Sequence, residues 1–299
     1  MRDLIAFIVW WFIVSVVGFI AWPSLFRMLP HLPEKGYALS KTCGLLLLGY
    51  VFWILSSLSY LRMTFGGILI AGVILAVVSL RCGQPRAAFE WLIGNRVLVL
   101  ATEVVFLLFF GVWSYVRALN PDIVGTEKPM EFAFLNSVLR SGIMPSLDPW
   151  LSGYAISYYY FGYVIIGILT RLSGVLPSVA FNLGVALLFG LSAVGAFGIA
   201  LNLIVVSARA IGRTRMAMVD VRISHYVFPA LLAPVFTVLT GNLNGLLEVL
   251  HQRGIGTDSF WQWLGIKWLD SATITQGGWV PQRYMWWWQA SRVIRDRDL

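Results

Sequence analysis

The residues that could do chemistry are concentrated in one polar stretch of an otherwise apolar chain. Residues 125–150 read GTEKPMEFAFLNSVLRSGIMPSLDPW and contain three carboxylates, Glu127, Glu131 and Asp148, with two cations, Lys128 and Arg140. An ionised carboxylate at a membrane surface can accept a proton from a hydroxyl group or hold a divalent cation, and the cations can hold a phosphate. Ordinary charges on a solvated loop are the simpler interpretation of the same residues.

The spacing within this stretch predicts a helix that begins near its first acids. Pro129 suits the first turn of a helix over residues 128–139, and Glu131 then lies in the same turn. The positive end of the helix dipole favours the ionised form of a carboxylate at that position.

The composition of the whole chain indicates a membrane protein. Of its 299 residues 59% are hydrophobic and 12% charged, whereas soluble proteins carry about 25% charged residues. Several uncharged runs reach the length of a membrane span. We therefore predict an all-α, polytopic integral membrane protein with about six to seven transmembrane helices.

Charge and cysteine content exclude other classes of protein. The net charge of +8 fits basic loops beside anionic headgroups, and no basic helix or RNA-type motif indicates nucleic acid as a partner. The two cysteines, Cys43 and Cys82, form neither a disulfide framework nor a metal-ligand pattern.

The uncharged runs predict the positions of the crossings and divide the chain into four regions. Crossings are predicted at Leu4–Trp22 (ended by Pro23), Thr42–Tyr60, Met63–Leu80, Val97–Val116, within Leu172–Ala208 and at Ile223–Leu247. The regions are a four-helix part (1–116), an extracytoplasmic acidic loop (117–156), further membrane helices (157–247) and an extracytoplasmic aromatic tail (248–299).

The orientation of the chain in the membrane depends on whether the apolar segment Ser157–Thr170 crosses it. If it crosses fully, Lys and Arg divide almost equally between the two sides. If it enters only part of the way, the basic loops Arg27–Lys41, Arg81–Arg96 and Arg209–Arg222 fall on one side and the acidic loop on the other. The second arrangement obeys the positive-inside rule, so we expect a partial helix here, with a pocket beside it.

Aromatic residues and one buried acid allow two interpretations each. Tyr158, Tyr159 and Tyr160, like Trp286–Trp288, could line a sugar or lipid groove, but Tyr and Trp also collect at membrane interfaces. Glu103 lies inside a predicted span, where acids are functional candidates, and we expect it to form a structural pair with Arg96 or Arg86.

Three motifs in and after the acidic loop, GTEKPM (125–130), DPW (148–150) and YYYFG (158–162), resemble those of a family of bacterial and archaeal membrane proteins named for its YYY tripeptide. The likeness extends to residues 35–50 and 286–294 and so covers most of the chain. That family in turn resembles the GT-C glycosyltransferases, multi-span enzymes that use polyprenyl-phosphate-linked sugars on the outer face of the membrane. Their first large outer loop carries an essential Asp or Glu and precedes a tyrosine-rich helix entry.

The resemblance implies roles for individual residues. Glu131 would be the general base and Glu127 a second acid or a metal ligand, so that a divalent metal is a candidate cofactor. Lys128 and Arg140 would contact phosphate, Tyr158, Tyr159 and Tyr160 would contact substrate, and Asp148 would bind substrate or, more simply, fix the loop.

The chain departs from the family in two respects. The family usually has Asp where this chain has Glu131, which changes the reach of the carboxylate by roughly 1.5 Å, and a misplacement of about 1 Å can cost on the order of 100-fold in rate. Family members are also longer, so this chain resembles an N-terminal portion whose missing half a second chain could supply.

Three functions remain open from the sequence. The first is a GT-C-like glycosyltransferase of the cell membrane, or its N-terminal module, and the second is a non-catalytic scaffold or lipid- or glycan-binding subunit. A transporter fits less well, because the chain has one buried acid and no visible two-fold repeat.

Overall fold

The structure, a computed structural model, describes residues 2–125, 127–214, 223–240 and 244–264. Within these ranges the chain is helical and forms no strand; a single isolated bridge pairs Leu147 with Ala155. The predicted all-α class is therefore confirmed. Parts of the predicted basic loop Arg209–Arg222, and most of the predicted tail, including Trp286–Trp288, lie outside the described residues.

Eight longer helices make up the first of two compact units, Met1–Pro234. They are α1 (Arg2–Met28), α2 (Ser40–Ser57), α3 (Phe65–Cys82), α4 (Pro85–Gly94), α5 (Arg96–Leu119), α6 (Lys128–Arg140), α7 (Phe161–Ser173) and α8 (Pro177–Thr214). Short helical pieces follow at Ile223–Tyr226, Val227–Ala230 and Leu232–Pro234. The second unit, Val235–Leu299, contains the π-helix Val235–Leu239 and the helices Asn244–Gln252 and Asp258–Leu264.

Local sequence explains where several of these helices begin and end. The Thr64 side chain caps α3 by accepting a hydrogen bond from the Gly67 amide at 3.2 Å. Helix α7 ends at Gly174, whose φ of +67° is readily adopted only by glycine. Pro23 was expected to end α1, but the helix continues to Met28, because membrane helices tolerate proline when neighbouring groups satisfy the backbone.

Five of the helices, α1, α2, α3, α5 and α8, are long and apolar enough to cross a membrane. They correspond to five of the six predicted crossings, and they support a multi-pass membrane protein. The sixth predicted crossing, Ile223–Leu247, is different: residues 223–239 form a shorter apolar segment built of several helical pieces.

Helix α7 begins and ends at the same end of the helix bundle. At its start the Tyr160 hydroxyl accepts a hydrogen bond from Trp53 Nε1, near the end of α2, at 2.7 Å. Nine residues after its last residue, Asn182 in α8 accepts hydrogen bonds from the Arg117 guanidinium, near the end of α5, at 2.6 and 2.9 Å. Thirteen residues span only about 20 Å, less than a hydrocarbon core of about 30 Å; the partial crossing of this segment stays a prediction.

The acidic connection between α5 and α7 is attached to this end of the bundle. The Met63 amide, between α2 and α3, donates to the Gly142 carbonyl at 3.1 Å, and the Met144 amide donates to Ser56 Oγ at 3.2 Å. Helix α6 is held by a small core of Leu135 and Leu139 against Phe181 of α8. The connection is therefore an ordered layer over the end of the bundle.

Candidate functional site

Helix α6 presents the two acids of the loop at its first turn. It begins at Lys128 with Pro129 in its first turn, and the Glu131 amide donates to the Glu127 carbonyl at 2.9 Å. Its apolar side, which includes Phe134 and Val138, is buried. The predicted helix is therefore present, and packing of this side fixes the direction of Glu131.

Glu131 is half buried, whereas Glu127 is exposed. Burial raises the pKa of the Glu131 carboxyl, and the neighbouring Glu127 carboxylate raises it further, while the Lys128 ammonium acts in the opposite direction. A carboxylate with a raised pKa is a stronger base than an ordinary surface acid, so the two glutamates are not equivalent.

Tyr163, in the first turn of α7, is a member of this site that the sequence analysis did not single out. Burial raises its pKa to about 12, and smaller contributions come from Glu131, Tyr158 and Glu127. The Tyr163 hydroxyl is therefore close enough to Glu131 and Glu127 for their charges to influence it. The sequence could have indicated Tyr163, since it follows Tyr160 by three residues and so lies on the same face of a helix.

Aromatic rings form a platform around Phe134, here called the Phe134 cluster. The buried Phe134 ring lies 5.4 Å from Trp150, 5.5 Å from Tyr158 and 5.8 Å from Tyr163, measured between ring centroids. Tyr158 in turn lies 5.1 Å from Tyr159. The cluster joins α6, α7 and the loop between them, within one turn of Glu131.

The three consecutive tyrosines have different surroundings. Tyr158 is 45% exposed and belongs to the Phe134 cluster, whereas Tyr159 is 86% exposed. Tyr160 points towards α2, where its hydroxyl accepts the hydrogen bond from Trp53. Tyr158 and Tyr159 are the more exposed of the three, and Tyr160 holds α7 against α2.

Asp148 organises the loop that carries Trp150. One of its carboxylate oxygens accepts hydrogen bonds from the amides of Trp150 and Leu151 at 2.8 and 2.9 Å, and its own amide donates to the Tyr154 carbonyl at 2.8 Å. This geometry is that of an Asx turn. The positions of these bonds support loop fixation, the simpler of the two roles considered for Asp148.

The structure separates the two cations that were considered for phosphate contact. Lys128 is close enough to Glu131 to influence its pKa. Arg140 lies nine residues after Glu131 in α6, about 13 Å from it along the helix axis. There it lines a cavity of 320 Å³ together with Arg171 and Asn136. Lys128 is thus the cation beside the acids, and Arg140 belongs to a different part of the surface.

A metal site of three protein ligands does not fit the described part of the chain. Among residues 2–125, 127–214, 223–240 and 244–264, no three His, Cys, Asp or Glu side chains lie close enough together to hold a metal ion. The role of Glu127 as a metal ligand therefore stays a prediction without a third protein ligand among these residues, and no step of the chemistry below runs through a metal.

Glu103 has a partner other than the expected one. Its Oε1 lies 2.5 Å from Lys41 Nζ and accepts a hydrogen bond from the Tyr37 hydroxyl at 2.9 Å. The expectation of a pair with Arg96 or Arg86 was wrong, because α2 packs on α1 so that the Lys41 side chain at its start reaches Glu103 and Phe106 of α5. This pair lies at the opposite end of the bundle from Glu131.

The helices and the ordered loop define a class, the all-α multi-pass membrane proteins. Residues 47–297 match the family described as uncharacterized membrane protein (DUF2298), and the chain belongs to that family. Comparison with curated proteins gave no match. Comparison with solved structures likewise gave none.

The family match covers the acidic loop, the three tyrosines and most of the span-length helices. It confirms the predicted membership of an uncharacterised family of membrane proteins. The further likeness to GT-C glycosyltransferases is not part of that match.

Proposed function

We propose that the protein is a GT-C-like glycosyltransferase, or the N-terminal module of one, with its acidic loop on the extracytoplasmic side of the cell membrane. It would transfer a sugar from a polyprenyl-phosphate-linked donor to a hydroxyl group of an acceptor. The observation that carries this proposal is the half-buried Glu131, with its raised pKa, beside the Phe134 cluster.

In this reaction Glu131 is the general base. As the acceptor oxygen forms a bond to the anomeric carbon, its proton passes to the Glu131 carboxylate. The bond between that carbon and the phosphate oxygen breaks, and the lipid phosphate leaves with the electron pair. Lys128 stabilises the charge that develops on the phosphate, since it is the cation beside the acids.

The aromatic residues supply the surface on which a sugar would lie. Trp150 is 61% exposed and Tyr159 86% exposed, yet both are connected to the buried Phe134 ring, Trp150 directly and Tyr159 through Tyr158. Exposed rings anchored in this way lose little conformational freedom when a ligand binds. They lie within reach of the donor sugar while Glu131 faces the acceptor.

The test is transfer of radiolabelled sugar from polyprenyl-phosphate donors in membranes that contain the chain. Glu131→Gln is expected to abolish transfer, because an amide cannot accept the proton. Glu90→Gln, at an exposed position in α4 at the other end of the bundle, is the matched control and should transfer at the normal rate. Because burial disfavours the charge of Glu131, its replacement by Gln should not lower the thermal stability.

A non-catalytic subunit that binds glycans or lipids is the second candidate, and the exposed rings of Tyr159 and Trp150 favour it. The two candidates differ in the same assay. Absence of transfer from every donor, in a folded and inserted wild-type protein, would contradict an enzyme that acts alone and support a subunit or module that needs a second chain. Transfer that survives Glu131→Gln would remove Glu131 from the role of base.

A further inference from the structure

A polar group without a sufficient partner lies inside the membrane-spanning part of the bundle, away from the site described above. Glu103 is in α5, seven residues after Arg96 and so about 10 Å along the helix. Its Oε1 accepts from both Lys41 and Tyr37, and its Oε2 makes no hydrogen bond to the described residues. The Glu103 side chain is 28% exposed, so this oxygen can be reached from outside.

The space in front of Glu103 is a cavity of 300 Å³ between α1, α2 and α5. One wall carries Lys41, Glu103 and Tyr37, and the other carries Phe12, Val16 and Phe19 of α1. These three α1 side chains are exposed, which in a span means that they face lipid. The cavity is therefore polar at one end, apolar along its length and open to the hydrocarbon of the bilayer.

Charge balance restricts what the cavity can hold. The Lys41 side chain is only 5% exposed, is paired with Glu103 and lies 5.1 Å from the centre of the Phe106 ring. The pair carries no net charge, so neither an anionic nor a cationic headgroup gains from entering. An unpaired carboxylate oxygen at this depth is costly, and it needs an uncharged hydrogen-bond donor.

Two further polar atoms, on the α1 wall opposite Glu103, lack a partner. Trp11 Nε1 and Ser15 Oγ, one helical turn apart on α1, line the cavity and are buried without a hydrogen-bond partner among the described residues. Buried polar atoms nearly always have partners. A hydroxyl group would serve both needs, because it can donate to Glu103 and accept from a neighbouring donor.

We propose that this cavity binds an uncharged lipid alcohol, with its hydroxyl group on Glu103 and its hydrocarbon chain along Phe19, Val16 and Phe12. The depth of Glu103 fits a hydroxyl group just inside the interface of a bilayer whose hydrocarbon core is about 30 Å thick. From Phe19 to Phe12 the α1 face runs from this level towards the bilayer centre. The site is independent of the proposed transferase.

The test uses the full chain in phosphatidylcholine nanodiscs with a dioleoylglycerol probe that carries a photoreactive diazirine in one acyl chain. Labelling is expected in the α1 peptide that contains Phe12 and Phe19. Unlabelled dioleoylglycerol should compete at a concentration about tenfold lower than its O-acetyl derivative, because the derivative cannot donate to Glu103.

Two variants test whether the preference for a free hydroxyl group depends on the Lys41–Glu103 ion pair. Replacing both charges together, Lys41→Met with Glu103→Met, leaves no buried charge unpaired and should abolish the difference between the two competitors. Thr102→Val, a buried neighbour in α5 that does not line the cavity, should retain it. Thermal unfolding of each variant establishes that it is folded.

Three results would overturn the proposal. Equal competition by the O-acetyl derivative would mean that the cavity holds water or acyl chains without recognising a hydroxyl group. Stronger competition by phosphatidic acid would mean that the site prefers anionic lipid. A hydroxyl preference that persists in the doubly substituted variant would place the binding elsewhere.

Discussion

At the scale of single residues, the surroundings of an acid matter more than its presence in the loop. Glu127, Glu131 and Asp148 are alike in the sequence, but one is exposed, one is half buried beside Tyr163, and one is committed to an Asx turn. Glu131 is partly buried beside the Phe134 cluster and, unlike Asp148, accepts from the described residues no hydrogen bond that fixes the loop. Its role as a base is therefore the most specific part of the proposal.

The pH dependence of transfer tests the surroundings of Glu131. A base must be ionised, so kcat/KM should fall as the pH falls through the raised pKa of Glu131, at a higher pH than for an ordinary glutamate. Glu127→Gln removes a negative neighbour and should move this acidic limb to lower pH. Lys128→Met removes the positive neighbour and should move it to higher pH.

The two shifts are measured from kcat/KM over a pH series with a saturating co-substrate. Tyr158 and Tyr163 are unchanged in both variants, so they contribute equally to each profile. A limb that stays in place in both variants would show that the titrating group is not Glu131.

At the scale of helices, the close approach of one helix backbone to another depends on a few glycines. A Cβ atom added to Gly44 in α2 would lie 2.7 Å from the Val17 carbonyl oxygen and 3.1 Å from Gly18 Cα in α1. The two backbones are thus in direct contact, as in many membrane helix pairs. This contact sets the position of the start of α2, and hence that of Lys41 against Glu103.

Gly44→Ala should therefore destabilise the protein by about 1–3 kcal/mol, because α1 and α2 have to separate to admit a methyl group. Gly72→Ala in α3 is the matched control: a Cβ atom there has no neighbour within 4 Å. It should leave the stability unchanged or raise it by up to about 1 kcal/mol. Denaturant unfolding in micelles measures both, and equal stabilities would contradict the packing of α1 on α2.

At the scale of the whole molecule, the surfaces that share a side of the membrane depend on whether α7 crosses it. The loop before α7 and the start of α8 meet at one end of the bundle, and the connections from α1 to α2 and from α3 to α4 meet at the other. The exposed Cys82, at the end of α3, lies at this second end. Its main-chain carbonyl accepts a hydrogen bond from Arg27 near the end of α1.

Cysteine labelling tests this arrangement. In a variant without Cys43 and Cys82, Ser157→Cys and Ser178→Cys, both at exposed positions, should react with an impermeant maleimide added to intact cells. Cys82, present alone, should react only after lysis. Labelling of just one of the two new cysteines would mean that α7 crosses the membrane, and labelling of Cys82 alone would reverse the side assigned to the loop.

The sequence alone predicted the features that depend on composition and on local spacing. Long uncharged runs predicted the helical membrane class and five crossings, since hydrocarbon admits only backbones that satisfy their own hydrogen bonds. Pro129 and the acids beside it predicted α6. The motifs around Glu131 and Tyr158 indicated the family that the chain matches.

Tertiary structure alone decided what depends on contacts between distant segments. Lys41 and Glu103 are 62 residues apart, and no local pattern could pair them. Tyr163 lies close enough to Glu131 to be influenced by its charge, and Arg140 lines a separate cavity with Arg171, because packing fixes which side of α6 meets α7. Helix periodicity determines which residues share a face, but the neighbouring helices determine what that face packs against. These neighbours therefore also determine the burial and the pKa of Glu131.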